Sequence, residues 1–184
     1  MVISEQTFRL VALEDAEGLW ELHDGRLVEK PVMGAEHNDT IVRLGLALGP
    51  QLDWRTHRLR INMSHVRRSE RNYYIPDLCV IPSDRFHDQL GQPGHLELYE
   101  APLPLVVEAW SRSTGTYDVE GKLLGYQARG DREIWRLHPF ERTLTTWRRE
   151  PDGAYAVEVY RGGVVPVMSL PDVTVDLDRL FDFS

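Results

Sequence analysis

LVVEAW, at residues 105–110, is an apolar run that carries one carboxylate, that of Glu108. YIPDLCVI, at residues 74–81, also joins an acid to an apolar run, because Asp77 stands where the apolar residues begin. Such a run is typical of a buried strand, and a charge at its end is costly unless it is paired or coordinated. Two carboxylates on neighbouring strand ends can hold a hard divalent cation. The two runs therefore predict paired strands with an acidic site at one end.

A lysine completes the candidate site. Lys122 lies on the helix predicted for residues 117–128, and it is one of only two lysines among 21 basic residues. An ammonium group beside a metal can orient the attacking water, stabilise charge on a phosphate, or act as a general base if its pKa is lowered. The sequence does not choose among these three roles. Together the two acids and the lysine predict a metal-dependent nuclease.

Each of the three residues also has a purely structural interpretation. Pro76-Asp77 is a common way to open a strand, and Pro171-Asp172 repeats the dipeptide with nothing metal-like nearby. A buried salt bridge to an arginine would explain Glu108, and a solvated helix position would explain Lys122. These alternatives weaken when they are taken together, since the chain supplies two strand acids and a following cation in the order that such a site needs.

The composition is that of an ordinary globular protein. The chain has 184 residues, 42% of them hydrophobic and 27% charged, which suits a single domain over residues 1–184. No apolar run approaches the roughly 20 residues that cross a bilayer, so no membrane association is expected. Residues 1–8 lack the blocks of a secretory signal, and the single cysteine, Cys79, rules out an internal disulfide. We therefore expect a cytoplasmic protein.

The charge of the chain does not settle its partner. A net charge of −8 argues mildly against nucleic acid, since phosphate binding is favoured by a positive surface. Residues 55–71, however, hold six arginines against one acid, and a second arginine-rich stretch covers residues 129–149. The guanidinium group fits phosphate well. The first segment is interpreted either as a phosphate-binding surface or as a solvated strand face or dimer contact.

Turn and periodicity patterns place the candidate residues in a mixed fold. Asp24-Gly25, flanked by alternating residues, predicts a β-hairpin, and apolar residues at helical spacing predict a helix from Ala35 to about Leu52. Residues 83–103 hold several prolines and glycines and are interpreted as a long, partly disordered loop. This order of elements predicts an α/β fold with helices on the faces of a mixed sheet. The other predicted elements are strands at residues 57–68 (one or two), 77–82, 105–110, 133–137, 143–148, 155–160 and 173–175, and helices at 117–128 and 178–183.

The order of these motifs resembles a bacterial family described as putative restriction endonucleases, a branch of the PD-(D/E)XK nuclease superfamily. In that family the lysine has moved from the strand of the glutamate to the following helix. The resemblance covers roughly residues 19–181 and implies a restriction-endonuclease-like fold, in which helices flank a mixed central sheet and β-hairpins lie at the N-terminal and C-terminal ends. It rests on residues 75–78 (IPDL), 105–114 (LVVEAWSRST), Lys122, Tyr126 and 132–139 (REIWRLHP), and reaches back to Asp24-Gly25 and Glu36-His37.

The resemblance implies roles for five residues. Asp77 and Glu108 would bind Mg²⁺ or Mn²⁺, and Lys122 would be the catalytic lysine. Glu36 lies where many members of the superfamily place a further acid, although the helix dipole also favours an exposed glutamate at a helix start. His37 is interpreted as a substrate contact or as a histidine with a structural partner or in solvent.

Neighbouring residues receive smaller roles. Asp118 is expected to cap the helix or to orient the lysine. Tyr126 follows Lys122 by about one helical turn and most simply packs in the core. Ala109-Trp110 departs from the family, which more commonly has two aliphatic residues there, so the strand is bulkier beside Glu108.

The sequence therefore predicts a Mg²⁺- or Mn²⁺-dependent endonuclease that hydrolyses phosphodiester bonds in DNA. The alternative is a catalytically silent nucleic-acid-binding or assembly module on the same fold, which the arginine-rich segment and the acidic net charge favour. A third interpretation is hydrolysis of another phosphorylated substrate. A homodimer is expected, both from the resemblance and because the C-terminal hairpin offers apolar strands for pairing.

Overall fold

The computed structural model describes residues 2–15, 17–111 and 115–184, with the side chains of residues 115–119 outside the described set. The helices are α1 (Glu5–Glu14), α2 (Ala35–Leu48), α3 (Ser83–His87), α4 (Gly115–Arg129) and α5 (Leu177–Leu180), with one 3₁₀ turn at Gly49–Gln51. The strands are β1 (Trp20–His23), β2 (Arg26–Glu29), β3 (His57–Ile61), β4 (His65–Ser69), β5 (Asn72–Tyr74), β6 (Leu78–Pro82), β7 (Leu98–Tyr99), β8 (Leu105–Ala109), β9 (Glu133–His138), β10 (Thr143–Arg149), β11 (Tyr155–Tyr160), β12 (Val164–Pro166) and β13 (Thr174–Asp176).

Local chemistry explains the hairpin and the ends of the two long helices. Asp24 and Gly25 both have positive φ, 50° and 80°, so the turn between β1 and β2 has the twist that favours a hairpin. Pro50 follows α2 in the 3₁₀ turn, and the helix does not continue beyond it. Gly130, at φ +81°, ends α4 in the left-handed conformation that glycine adopts without strain.

The strands form two large sheets and one small sheet. A six-stranded mixed sheet has the order β11-β10-β9-β8-β6-β3, in which β8 and β9 are parallel and joined by α4. A five-stranded sheet has the order β2-β1-β5-β4-β7, and β12 pairs with β13. The mixed sheet with helices on its faces confirms the predicted fold class.

Alternation along β6 and β8 decides which side chains face which helix. Leu78 and Val80 pack in the core cluster that contains the apolar face of α2, whereas Cys79 and Ile81 pack in the cluster that contains Tyr126 of α4. By the same alternation Val106 and Glu108 share the α4 side of β8. The acid at the end of β8 therefore faces the helix that carries the candidate lysine.

Several predicted elements differ from those observed. Residues 83–103 are not a long irregular loop, because α3 and β7 lie within them and β7 pairs in parallel with β4. Residues 57–68 form two strands, which is one of the two arrangements predicted, and the two strands lie in different sheets. The prediction also missed α1, β5 and β12. In the described part of the chain, no helix combines the length and apolar character needed to span a membrane.

Candidate active site

The ends of β6 and β8 bring the two predicted acids together. Leu78 pairs with Val107 in antiparallel register, which places Asp77 and Glu108 at neighbouring positions just beyond that pair. The backbone N–H of Ala109 donates a hydrogen bond to Asp77 Oδ2 at 2.7 Å. The carboxylate of Asp77 thus lies directly against the strand that carries Glu108.

Both carboxylate oxygens of Asp77 have partners within the protein. It is 1% exposed, His37 Nε2 lies 2.8 Å from Oδ2, and Lys30 Nζ lies 2.7 Å from Oδ1. Burial by itself raises the pKa of Asp77, but the charge of Lys30 and the hydrogen bonds from His37 and Ala109 lower that pKa well below its ordinary value. Asp77 is therefore an ionised carboxylate at neutral pH.

Glu108 has a different environment. Its side chain is 9% exposed, the hydroxyl of Tyr126 donates to Oε1 at 2.5 Å, and Lys122 Nζ lies 3.7 Å from the same oxygen. Burial raises the pKa of Glu108 to about 7, and the negative charge of Asp77 adds to this while Lys122 opposes it. Among the described residues, the charged partner of Glu108 is a lysine and not the arginine of the structural alternative.

Lys122 is not a solvated helix residue, as the structural alternative required. Its side chain is 2% exposed, and Nζ lies 2.8 Å from Oε1 of Glu21, a β1 residue that is 1% exposed. Glu21 also accepts hydrogen bonds from the backbone of Ile75 at 2.6 Å and from His23 Nε2 at 2.8 Å. Burial raises the pKa of Glu21, but Lys122 and His23 outweigh it and bring that pKa to about 2.

Sequence reasoning missed Glu21 and Lys30. Glu21 lies in an alternating strand next to a turn, where an acid normally faces solvent, but β1 lies inside the five-stranded sheet and is buried there. Lys30 had a detectable pattern: the chain uses arginine almost everywhere, and its only two lysines, Lys30 and Lys122, are both buried in this cluster.

The two additional candidates are placed differently. His37 is 2% exposed and is a buried partner of Asp77. Glu36 is exposed in the first turn of α2, and no hydrogen bond or ion pair among the described residues joins it to Asp77 or Glu108. Asp118 lies outside the described side chains. Glu36 and His37 both line a cleft of about 560 Å³, which is also lined by Val32, Met33, Gly34, Ser111 and Phe140.

The bulky residue beside Glu108 packs on the edge of this region. The Trp110 ring stacks on His138, with centroids 4.4 Å apart and planes 17° apart, and Phe140 meets Trp110 edge-on at 5.7 Å. Phe140 also lines the cleft. Trp110, which stands where the family more commonly has an aliphatic residue, therefore packs in an aromatic cluster with His138 and Phe140.

The arginine-rich segment of residues 55–71 does not form one basic surface. Arg60, on the six-stranded sheet, forms an ion pair with Glu97 at 2.7 Å. Arg67, on the five-stranded sheet, forms an ion pair with Glu5 at 3.2 Å. Arg58 lies over the rings of Trp54 and Phe86. These three arginines therefore form ion pairs or cation–π contacts with residues of the same chain.

The two acids of the site suit a magnesium-like ion better than an ion whose ligands must all come from the protein. The described residues contain no group of three or more histidine, cysteine or acidic side chains that could hold a metal ion. Mg²⁺, however, is usually bound by one or two carboxylates and completes its shell with water and substrate phosphate. Asp77 Oδ1 is buried and accepts no well-aligned hydrogen bond from described residues, since Lys30 meets it as an ion pair only. The donor set of Asp77 and Glu108 therefore suits Mg²⁺ or Mn²⁺.

Comparison with known proteins agrees with the fold. The Uma2 family model, described as putative restriction endonuclease, matches residues 5–178. A crystal structure of a putative nuclease belonging to DUF820 from Anabaena variabilis superposes with a TM-score of 0.75, at 18% identity and over 97% of each chain. No curated protein matches the chain. Since the family model spans nearly all of the sequence, the chain belongs to the Uma2 family of putative restriction endonucleases.

Proposed function

We propose that this protein is a Mg²⁺- or Mn²⁺-dependent endonuclease that hydrolyses phosphodiester bonds in DNA. One observation carries the proposal: Asp77, Glu108 and Lys122 come from three separate elements and meet in one buried cluster. Buried charges are costly, and a fold that needed only stability could use apolar residues there. Membership of a nuclease family supports the same reaction class.

The proposed roles follow from the contacts. Asp77 and Glu108 are the metal ligands, and a bound metal would lower the pKa of its water and neutralise charge on the phosphoryl oxygens. His37 and the Ala109 N–H hold the Asp77 carboxylate in place. Lys122 is the catalytic lysine, since its ammonium is held 3.7 Å from Glu108, where it would face a phosphate bound at the same acids.

Cleavage of supercoiled plasmid DNA tests the proposal. The wild type should cut with Mg²⁺ or Mn²⁺ and not with EDTA, and Glu108→Ala should abolish cutting. Glu133→Gln is the control, because Glu133 is buried like Glu108 but accepts hydrogen bonds from Trp135 and Ser169. It pairs in register with Leu105 at the opposite end of β8. Undiminished cleavage by Glu108→Ala would refute the assignment.

One observation favours the alternative of a catalytically silent module. Lys30 and Lys122 already neutralise Asp77 and Glu21 without any metal. Calorimetry with Mn²⁺ in the presence of duplex DNA separates the two functions. Absence of binding at millimolar Mn²⁺ under that condition supports the silent module.

We also propose a homodimer in the cytoplasm. The strand β11 is the edge of the six-stranded sheet and exposes Val157 and Val159, which are 55% and 57% exposed. An exposed apolar edge strand is a ready template for pairing with a second chain. The single thiol, Cys79, is buried and suits a reducing compartment. Light scattering should give twice 21.2 kDa, and a monomer alone would contradict the dimer.

A further inference from the structure

Lys30 contacts the proposed metal ligand directly. It follows β2, and its side chain is 3% exposed. Its ammonium lies 2.7 Å from Asp77 Oδ1, 2.5 Å from Asn62 Oδ1 and 2.9 Å from the carbonyl oxygen of Ile75. These three oxygen partners hold the ammonium group of Lys30 in place beside Asp77.

Lys30 and Asp77 are also coupled through the backbone. The N–H of Asn62, which binds the ammonium through its side chain, donates to the carbonyl oxygen of Asp77 at 3.1 Å. Asn62 has a φ of 49°, a conformation that asparagine tolerates better than most residues. Each of Lys30, Asn62 and Asp77 therefore contacts the other two, and moving the ammonium away from Asp77 would also disturb its hydrogen bond to Asn62.

Three acids and two lysines meet in the cluster. Asp77 contacts Lys30, and Lys122 lies 2.8 Å from Glu21 and 3.7 Å from Glu108. A divalent cation between Asp77 and Glu108 would add positive charge beside the fixed ammonium, where little water screens the repulsion. A bound phosphodiester would return negative charge to the same place.

We propose that Lys30 couples metal binding to substrate binding: it weakens the affinity of the free site for a divalent cation, and a bound phosphodiester restores that affinity. The inference rests on the proposed function. Its consequence is that the metal site fills together with the nucleic acid. By linkage, the metal strengthens binding of the nucleic acid by the same factor.

Calorimetric titration with Mn²⁺, with and without a phosphorothioate DNA duplex that resists cleavage, tests the coupling. In the wild type the duplex should tighten Mn²⁺ binding by about tenfold or more, a factor within the usual range of coupling between two sites. Lys30→Met keeps an unbranched side chain without the charge. It should bind Mn²⁺ about tenfold more tightly than the wild type in the absence of the duplex, and the duplex should add little.

Arg148→Met is the control, because Arg148 pairs with Glu150 at the surface and its loss changes the net charge equally. It should bind Mn²⁺ like the wild type. Equal Mn²⁺ affinity of the wild type with and without the duplex overturns the inference, and this comparison needs no variant to fold. Lys30→Met that is folded by circular dichroism but binds no more tightly also overturns it.

The plasmid assay separates the two failures. If the wild type cleaves DNA but the duplex does not change its Mn²⁺ affinity, only the proposed role of Lys30 is refuted. If the wild type neither cleaves DNA nor binds Mn²⁺ in the presence of the duplex, the proposed function is refuted as well.

Discussion

The site has an aspartate side (Asp77, His37, Lys30) and a glutamate side (Glu108, Lys122, Tyr126, Glu21), and the pKa of Asp77 and that of Glu108 shift in opposite directions. On the aspartate side, direct contacts with a cation and two N–H donors keep the pKa of Asp77 low. On the glutamate side, Lys122 lies nearer to Glu21 than to Glu108, and burial raises the pKa of Glu108 to about 7. The distribution of partners, rather than burial alone, sets the direction in which the pKa of each acid shifts.

The largest expected effect comes from the aspartate side. Asp77→Asn should lower the cleavage rate by about 10³-fold or more, because it removes the ionised carboxylate that we propose as a metal ligand, and a bound metal would supply several kcal/mol of stabilisation to the transition state. Asp172→Asn is the matched control, since Asp172 also follows a proline but is exposed at a φ of 63°. Rates of plasmid cleavage measure both, and equal losses would contradict the special role of Asp77.

On the glutamate side, Lys122→Met should lower kcat by about 10²–10³-fold, the usual cost of removing one group that stabilises transition-state charge. The KM for a duplex substrate should change much less, because in the proposed role the ammonium would act on the reacting phosphate. Lys122→Arg should not restore the rate, since the forked guanidinium does not fit a site built around one ammonium. A loss confined to KM would remove the catalytic role.

The raised pKa of Glu108 predicts a pH effect on stability in EDTA. The ordinary pKa of 4.5 applies to the unfolded chain and about 7 to the folded one, so between these values only the folded protein holds the proton. Raising the pH through this window therefore lowers the free energy of unfolding, by on the order of 3 kcal/mol. The low pKa values of Asp77 and Glu21 act oppositely, because their contributions are lost only as the pH falls below about 4.

Urea unfolding at pH 5 and pH 8 checks this pH effect. Glu108→Gln cannot titrate, so it should lose less stability than the wild type between the two values. Equal losses would mean that Glu108 titrates normally, and the contrast between the two sides of the site would disappear.

The smallest effect is expected at the edge of the glutamate side. His23→Leu removes the N–H that donates to Glu21 Oε2, and His23 is 25% exposed. We expect a loss of about 1 kcal/mol in unfolding free energy, typical of one hydrogen bond, and little change in cleavage rate. His95→Leu, in an exposed turn, is the control for replacing a histidine. A large loss of activity would show that Glu21 depends on His23 more than its geometry indicates.

Local sequence rules predicted the elements whose formation is local. The hairpin at Asp24-Gly25, the buried strand before Glu108 and the helix that ends at Gly130 all follow from turn chemistry or periodicity. Helix α1 was missed although Ser4 caps it by accepting from the N–H of Thr7, because only Phe8 of the helix is buried and its apolar face is weak. The strand β5 has three residues, which is too short to give a periodic pattern.

The site was predictable only in part, for a related reason. Asp77, Glu108 and Lys122 stand beside recognisable strands and a helix, so their order in the sequence was informative. Glu21 lies on β1, and Lys30 follows β2 of the same five-stranded sheet. They reach the cluster through ion pairs to Lys122 on α4 and to Asp77 before β6, and no local pattern encodes these contacts. Side chains that meet between distant elements need the packed structure.

The most direct test of the account is a crystal structure with Mn²⁺ and the phosphorothioate duplex, recorded with anomalous scattering. The account predicts one Mn²⁺ peak about 2.1 Å from an oxygen of Asp77 and from an oxygen of Glu108, the distance typical of a magnesium-like ion. A Mn²⁺ peak elsewhere, or these two acids still bound only to lysine, histidine and tyrosine at saturating Mn²⁺, would contradict it.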